Sequence, residues 1–236
     1  MGVRRSVPPE TALPTISLDA VSVQVDGRRV LSDVTVDLTA RRTAVIGANG
    51  SGKSTFARLL NGLVRPASGT VVVHGLDSVA DRAKLRRRVG FVFTNPDAQI
   101  LMPTPAEDLA LSLRGMKRAE VARRVEQTLE SHGLFALADV PASALSGGQK
   151  QLLALASVLI TRPELIVADE PTTLLDLRNA RRIGDLLLSQ SAQVVLVTHD
   201  LRLAERCDAV ALFEDGRLID MGEPFEIIGS YRRACG

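Results

Sequence analysis

The 236-residue chain has no tryptophan, one tyrosine and six phenylalanines. So sparse an aromatic set leaves little material for the stacking platforms on which proteins hold unpaired bases. Charge adds nothing to a nucleic-acid reading: 29 basic residues face 27 acidic ones, a formal net charge of +2, so no nucleic acid is implied as a partner. The two cysteines, Cys207 and Cys235, stand in neither a C-x-x-C nor a metal-ligand pattern. That argues against a disulfide framework and suits a reducing, cytosolic setting. No apolar run approaches the ~20 residues that span a bilayer, and no signal-peptide layout is present. If the protein works at a membrane, other chains do the spanning.

What is present fits one large domain, or a domain with a sizeable insertion; 45% hydrophobic and 24% charged residues are ordinary for a globular protein. Residues 1–14, with Arg4, Arg5, Pro8, Pro9 and Pro14 and no periodicity, read as a flexible tail ahead of a folded domain over 15–236. Gly2 and Ser6 fit a loose myristoylation pattern and Arg4-Arg5 a twin-arginine start, but no apolar segment follows them.

Alternating apolar residues from Ile16 to Leu38, broken by Asp26-Gly27, predict an antiparallel hairpin. Further strands are expected at Val45-Ile46, Gly69 to His74, Val89 to Phe93, Leu165 to Ala168 and Val194 to Thr198, with a terminal hairpin over Ala209 to Met221. The run Leu165-Ile166-Val167-Ala168 is apolar throughout, as in a central parallel strand buried on both faces. The basic stretch Arg82 to Arg88 reads as a solvated helix face. Between about 103 and 162 the character turns helical: Glu107 to Leu113, Lys117 to His132 with Gly133 as cap, and Gly147 to Ile160. A later helix covers Leu177, Ala180, Ile183 and Leu187. The fold class expected is therefore α/β: a core sheet, a small antiparallel β subdomain and an inserted α-helical subdomain.

The first piece of chemistry is Gly47-Ala48-Asn49-Gly50-Ser51-Gly52-Lys53-Ser54-Thr55, a G-x-x-x-x-G-K-S/T phosphate loop. It follows a strand and opens a helix on which Phe56, Leu59, Leu60 and Leu63 recur at helical spacing, with Gly62 as cap. Glycines let successive backbone N–H groups approach phosphate oxygens, and the helix adds its positive end. Lys53 is placed to reach the β- and γ-phosphates of a bound nucleotide, and Ser54 to ligate Mg²⁺.

The second piece is Asp169-Glu170, directly after the buried strand and so at the edge where an α/β sheet presents ligands. Asp169 reads as a Mg²⁺ carboxylate and Glu170 as the general base or the water-orienting residue for attack on the γ-phosphate. The third is Leu145-Ser146-Gly147-Gly148-Gln149, in which Ser146 and Gln149 have capping-box spacing. Singly, each of these is compatible with an ordinary turn or helix cap. Their order along the chain is what gives them weight.

Ser146-Gly147-Gly148-Gln149, lying after the phosphate loop and before Asp169-Glu170, resembles the signature motif of ABC-type ATPases, and the likeness runs from Ile16 to Gly222. The resemblance implies that the signature contacts ATP held by an opposite protomer. It also implies that His199 is the switch histidine on the γ-phosphate and that Asp176, in Thr173-Leu174-Leu175-Asp176, is the D-loop aspartate. His74 and His132 receive only a surface reading.

Phe93-Thr94-Asn95-Pro96-Asp97-Ala98-Gln99 is similar to the Phe-Gln-Asn-Pro-Asp-Asp-Gln stretch of ATPase subunits in energy-coupling-factor importers of vitamins and transition-metal ions such as cobalt and nickel. The chain ends soon after its terminal hairpin, as in the ATPase of biotin importers. The implied partners are a second ATPase protomer and integral membrane subunits, with the protein peripheral at the cytoplasmic face of the membrane. A soluble ABC ATPase of a non-transport process is the alternative, and a nucleotide-binding regulator without turnover a third reading.

Two residues depart from the family pattern. Val25 stands where an aromatic side chain commonly stacks on adenine, and Thr94 where the family has its Q-loop glutamine. Either an amide on the same loop, Gln99 ahead of Asn95, takes over that glutamine's place, or Thr94 suffices through a bridging water.

Overall fold

The computed structural model describes residues 15–235, so the tail read over 1–14 and the two targeting patterns in it lie outside the described residues. Strands β1 (Ile16–Val25) and β2 (Arg28–Leu38) pair antiparallel around Asp26-Gly27, with Val25 opposite Arg28. Both turn residues take positive φ, 48° and 75°, the conformation a two-residue hairpin needs to match strand twist. β3 (Arg42–Ile46) leads through the glycine-rich loop into α1 (Lys53–Leu60).

Helix α1 ends as a Schellman cap: Gly62 N–H bonds the Leu59 carbonyl, Leu63 N–H bonds the Arg58 carbonyl, and Gly62 has φ 67°. Leu63 thus falls past the helix rather than on its buried face. β4 (Ser68–Val73) then adds to β1 and turns through His74-Gly75 into the two-residue β5 (Leu76–Asp77), which was too short to be read in advance.

Next come α2 (Arg82–Arg88) and β6 (Val89–Val92), followed by α3 (Pro105–Leu111), α4 (Arg118–Ser131) and α5 (Gly147–Leu159). α3 starts two residues earlier than expected because Thr104 caps it and Pro105, which has no N–H to leave unpaired, takes the first helical position. The chain continues with β7 (Leu165–Asp169), α6 (Leu177–Leu188), β8 (Gln193–Val197), the short α7 (Leu201–Ala204), β9 (Ala209–Glu214), β10 (Arg217–Gly222) and α8 (Pro224–Cys235). α8, absent from the sequence reading, docks through buried Ile227 and Ile228.

Two sheets result. The antiparallel one runs β2-β1-β4-β5; the larger one runs β10-β9-β3-β8-β7-β6, parallel except for β10. Alternation along its central strands divides two cores. Ala44, Ile46, Ile166, Ala168, Val194 and Leu196 face the α3–α6 and α8 side. Val45, Leu165, Val167, Val195 and Val197 face α1 and the antiparallel sheet. Burial of both faces is why these strands are apolar without interruption. The strand order 3-8-7 is what matters for function, because it sets the C-terminal ends of β3, β8 and β7 side by side.

Two side chains defy their sequence reading. His74 is not a surface residue: its side chain is 6% exposed, and Nε2 sits 2.7 Å from Gln193 Oε1. Gln193 in turn donates to the carbonyls of Leu38 and Ala40, so the pair stitches the two sheets together. His132 is half-buried, its Nδ1 2.8 Å from the Thr128 carbonyl, and burial holds its pKa below the usual histidine value. Leu177, in the first turn of α6, is 76% exposed.

Candidate functional site

The loop from Gly47 to Gly52 owes its shape to glycine at both ends. Gly47 has φ 141°, and a Cβ there would lie 2.0 Å from the Phe213 carbonyl oxygen; Gly52 has φ 94° with Leu31 Cδ2 at 2.6 Å and the Val30 carbonyl at 2.9 Å. Around this loop Lys53 folds back, its Nζ donating to the carbonyls of Gly47 and Ala48 at 2.8 Å each and lying 3.5 Å from Ser51 Oγ. Burial lowers the lysine's pKa, while the carboxylates of Glu170 and Asp169 pull it back up.

Asp169 closes β7, 1% exposed. Its Oδ1 accepts from Ser54 Oγ at 2.8 Å, and Arg58 Nη2 lies 3.6 Å from Oδ2. Burial raises the Asp169 pKa, opposed chiefly by the Ser54 hydrogen bond and then by Arg58. Arg58 was missed in the sequence; its signal is spacing, since Ser54 and Arg58, four apart, share a face of α1.

Glu170 follows with φ 53°, its N–H on the Val197 carbonyl at 3.0 Å. Its Oε2 accepts from His199 Nδ1 at 2.7 Å and from Thr173 Oγ1 at 3.2 Å. The imidazole is held through Nδ1 on a ring that is 63% exposed. A cleft of about 220 Å³ opens beside Glu170, lined by Asn49, Gly50, Gly52, Lys53, Ser54 and Thr55 of the loop together with Val30 and Glu170 itself. Val30, on β2, is the cleft's contribution from the antiparallel sheet and was not singled out. Val25 is 45% exposed and does not line it.

The signature residues lie elsewhere. Ser146 and Gln149 form a complete capping box at the start of α5, Ser146 N–H on Gln149 Oε1 at 2.8 Å and Gln149 N–H on Ser146 Oγ at 3.3 Å. A Cβ at Gly147 would meet nothing within 4 Å, whereas one at Gly148 would press on the Asn179 side chain at 2.7 Å. Asn179 also donates through Nδ2 and its backbone N–H to Asp176, at 2.6 and 2.9 Å, so Asp176 and the signature meet through a residue the sequence did not flag. Those hydrogen bonds hold the Asp176 pKa down. None of Ser146, Gly147, Gly148, Gln149 or Asp176 lines the phosphate cleft. Thus Gly47 to Thr55, Asp169, Glu170 and His199 converge, and the remaining predicted residues form a separate surface.

The loop after β6 settles differently from expectation. Gln99 Oε1 accepts from Phe93 N–H at 3.1 Å, and its Nε2 donates to the Ala154 carbonyl at 2.7 Å, with Ser157 Oγ at 3.4 Å. Asn95 Oδ1 caps the short 3-10 turn Pro96–Ala98 through Asp97 N–H. Neither amide therefore reaches Asp169. Thr94 does so directly, its Oγ1 donating to the Asp169 carbonyl at 2.8 Å.

The chain is similar to known proteins in both sequence and fold. The ABC transporter family matches residues 31–173. A Deinococcus radiodurans protein, provisionally described as an ABC transporter ATP-binding protein, is 49% identical over 92% of this chain and 97% of its own. The Rhizobium etli biotin transport ATP-binding protein BioM is 41% identical over the same shares. Among solved structures, cbiO1 of Clostridium perfringens, part of the ABC transporter complex cbiONQ, superimposes with TM-score 0.81 at 30% identity over 92% of both chains. The ATP-binding cassette MJ0796, solved as a dimer in a post-hydrolysis state with ADP and Pi, gives 0.78 at 28% identity over 89% of this chain and 98% of that one. With its family matched over more than half its length and a relative at 49% identity aligned nearly end to end, the chain belongs to the ABC transporter family and is an ATP-binding, ATP-hydrolysing subunit.

Proposed function

We propose that this subunit works as a dimer, with itself or with a related ATPase, and energises an importer of the energy-coupling-factor type. Biotin is favoured as cargo over other vitamins or a metal ion such as cobalt or nickel. Support for the cargo class comes from relatives named biotin transport ATP-binding protein and from likeness to a cbiONQ component. The observation that carries the catalytic part is the Glu170–His199 pair beside the phosphate loop.

In this reading the loop N–H groups and the start of α1 bind the phosphates, and Lys53 exchanges the carbonyls of Gly47 and Ala48 for the β- and γ-phosphate oxygens. Ser54 and Asp169 offer two adjacent hard oxygens, the small protein share that Mg²⁺ takes when phosphates and waters complete its shell. Bound there, Mg²⁺ would neutralise the phosphate oxygens. Glu170 takes a proton from the water that attacks the γ-phosphorus, the bond to the β,γ-bridging oxygen breaks, and ADP departs. His199 is held by Glu170 beside the phosphate loop, and in this reading its ring meets the γ-phosphate. The signature surface of Ser146 to Gln149 and Asp176 completes the site of the opposite protomer, which is consistent with its separation from its own phosphate cleft.

No helix among the described residues is long and apolar enough to cross a membrane. We accordingly assign the chain a peripheral position at the cytoplasmic face, docked on integral membrane subunits. The test is twofold. Glu170→Gln should bind ATP with Mg²⁺ yet lose ~10²–10⁴ in turnover and accumulate as an ATP-dependent dimer; near-normal turnover would remove Glu170 from the mechanism. Purification from detergent-solubilised membranes should bring down hydrophobic companions and support ATP-dependent biotin uptake in vesicles. Recovery of the chain without membrane partners would favour the soluble alternative.

A further inference from the structure

Glu170 is held in a conformation that its own chemistry disfavours. A φ of 53° is costly for a residue with a Cβ, and the following Pro171 narrows its choices further. Such residues persist where the surroundings over-determine them. Here the peptide joining Asp169 to Glu170 is gripped on both sides. Its N–H donates to the Val197 carbonyl at 3.0 Å, and its C=O accepts from Thr94 Oγ1 at 2.8 Å. With that plane fixed, rotation about the Glu170 N–Cα bond sets where its Cβ points, and the bonds from His199 and Thr173 hold the carboxylate beyond it.

Thr94 is itself firmly placed. The parallel register of Val92 with Ala168 carries the chain alongside the end of β7. Beyond it the loop is tied to α5 twice, by Gln99 on the Ala154 carbonyl and by Asp97 on Lys150 Nζ at 2.7 Å. The loop therefore spans from the helix that begins with the signature to the peptide that aims Glu170. A hydroxyl one bond from Cβ makes this contact directly, whereas a glutamine would place its polar group two carbons further out.

We propose that Thr94 is a positioning residue for hydrolysis: its hydroxyl, by holding the Asp169 carbonyl, keeps the Glu170 carboxylate aimed at the attacking water. Displacement of the loop thereby acts on the chemistry through the backbone of β7. The inference rests on Glu170 as the water-activating carboxylate.

Steady-state ATPase of the full chain tests it with Thr94→Val, which keeps the shape, Thr94→Ser, which keeps the hydroxyl, and Glu170→Gln as reference. One hydrogen bond lost from the positioning of the base should lower kcat about tenfold in Thr94→Val. KM for Mg-ATP should stay within about twofold, and Thr94→Ser should restore kcat to within about twofold of the original. Should Thr94→Val melt much lower, Thr94→Ala provides the same reading without the valine methyl. A kcat unchanged in Thr94→Val, a Thr94→Ser as impaired as Thr94→Val, or a loss confined to KM would each overturn the proposal. If Glu170→Gln is inactive in those cases, the role of Glu170 survives and that of Thr94 falls; if Glu170→Gln turns over normally, the underlying reading itself has failed.

Discussion

Gly147→Asp separates what the signature does for the fold from what it does for the reaction. Nothing lies within 4 Å of a Cβ built at Gly147, its φ is not positive, and it occupies the first helical position of α5. An aspartate there should be tolerated, and its charge near the positive end of the helix should stabilise by about 0.3–1 kcal/mol. If the signature faces the γ-phosphate of the partner's ATP, the same carboxylate opposes that phosphate. Two like unit charges about 4 Å apart at an effective dielectric constant near 20 repel by roughly 4 kcal/mol, about a thousandfold in the dimer's turnover. The variant should thus melt at or slightly above the original temperature, bind ATP in its own cleft and hydrolyse almost none. Mixing then locates the site. Lys53→Ala and Gly147→Asp should each be inactive alone, while a mixed dimer has one site with neither half damaged and should recover activity, provided one intact site suffices. Normal turnover by Gly147→Asp, or no recovery in verified mixed dimers, would refute the composite arrangement or the independence of its two sites.

Gly47→Ala should behave oppositely, because its Cβ would stand 2.0 Å from the backbone of Phe213; we expect a loss of about 3 kcal/mol or more in chemical denaturation, against about 1–2 kcal/mol at Gly50, where only φ 83° is at issue. Asp169 tests burial. Its folded pKa lies above the unfolded value, so the folded state binds the proton more readily. The stability this group contributes is therefore fully present below the unfolded pKa and lost as pH rises through the folded one. Asp169→Asn, which keeps an acceptor for Ser54 without the charge, should melt higher than the original at pH 7 without nucleotide, with the gap closing as pH falls. It should lose the extra stabilisation that Mg²⁺ adds to ATP; an unchanged or lower melting temperature would argue that Arg58 already compensates the charge. Gln99→Ala removes the bonds to Phe93 and Ala154 and should cost about 1–3 kcal/mol, with faster amide exchange at Phe93 by mass spectrometry.

The motifs were legible because each works over a few neighbouring residues. Glycines at 47, 50 and 52 with Lys53 and Ser54, the capping box at Ser146 and Gln149, and the carboxylates ending an apolar strand all report local backbone conformation, which a short stretch of chain dictates on its own. Period-two burial in β1 and β2 and the Asp26-Gly27 turn were readable for the same reason. Helix ends moved by one or two residues where a proline or a cap decided them, as at Pro105 and Thr104. α8 escaped because its two buried isoleucines, Ile227 and Ile228, sit beside a Phe225 that is turned to solvent.

Whatever depends on partners distant in the chain was decided by the tertiary structure alone. The order β3-β8-β7 brings Ser54 onto Asp169 and His199 onto Glu170, contacts between residues 115 and 29 positions apart. No local pattern encodes which strand lies beside which. The same holds for His74, which pairs with Gln193 across 119 residues, and for Gln99, which is spent on the α5 backbone and is not free to stand in for a missing glutamine. Thr94 is the plainest case. In the sequence it is a departure from a family pattern; in the folded chain its hydroxyl meets the Asp169 carbonyl, because parallel pairing of β6 with β7 sets the two side by side. The sequence by itself determined which residues could perform the chemistry, since residue type and local conformation are short-range properties; the packing of the sheet decided which of them meet.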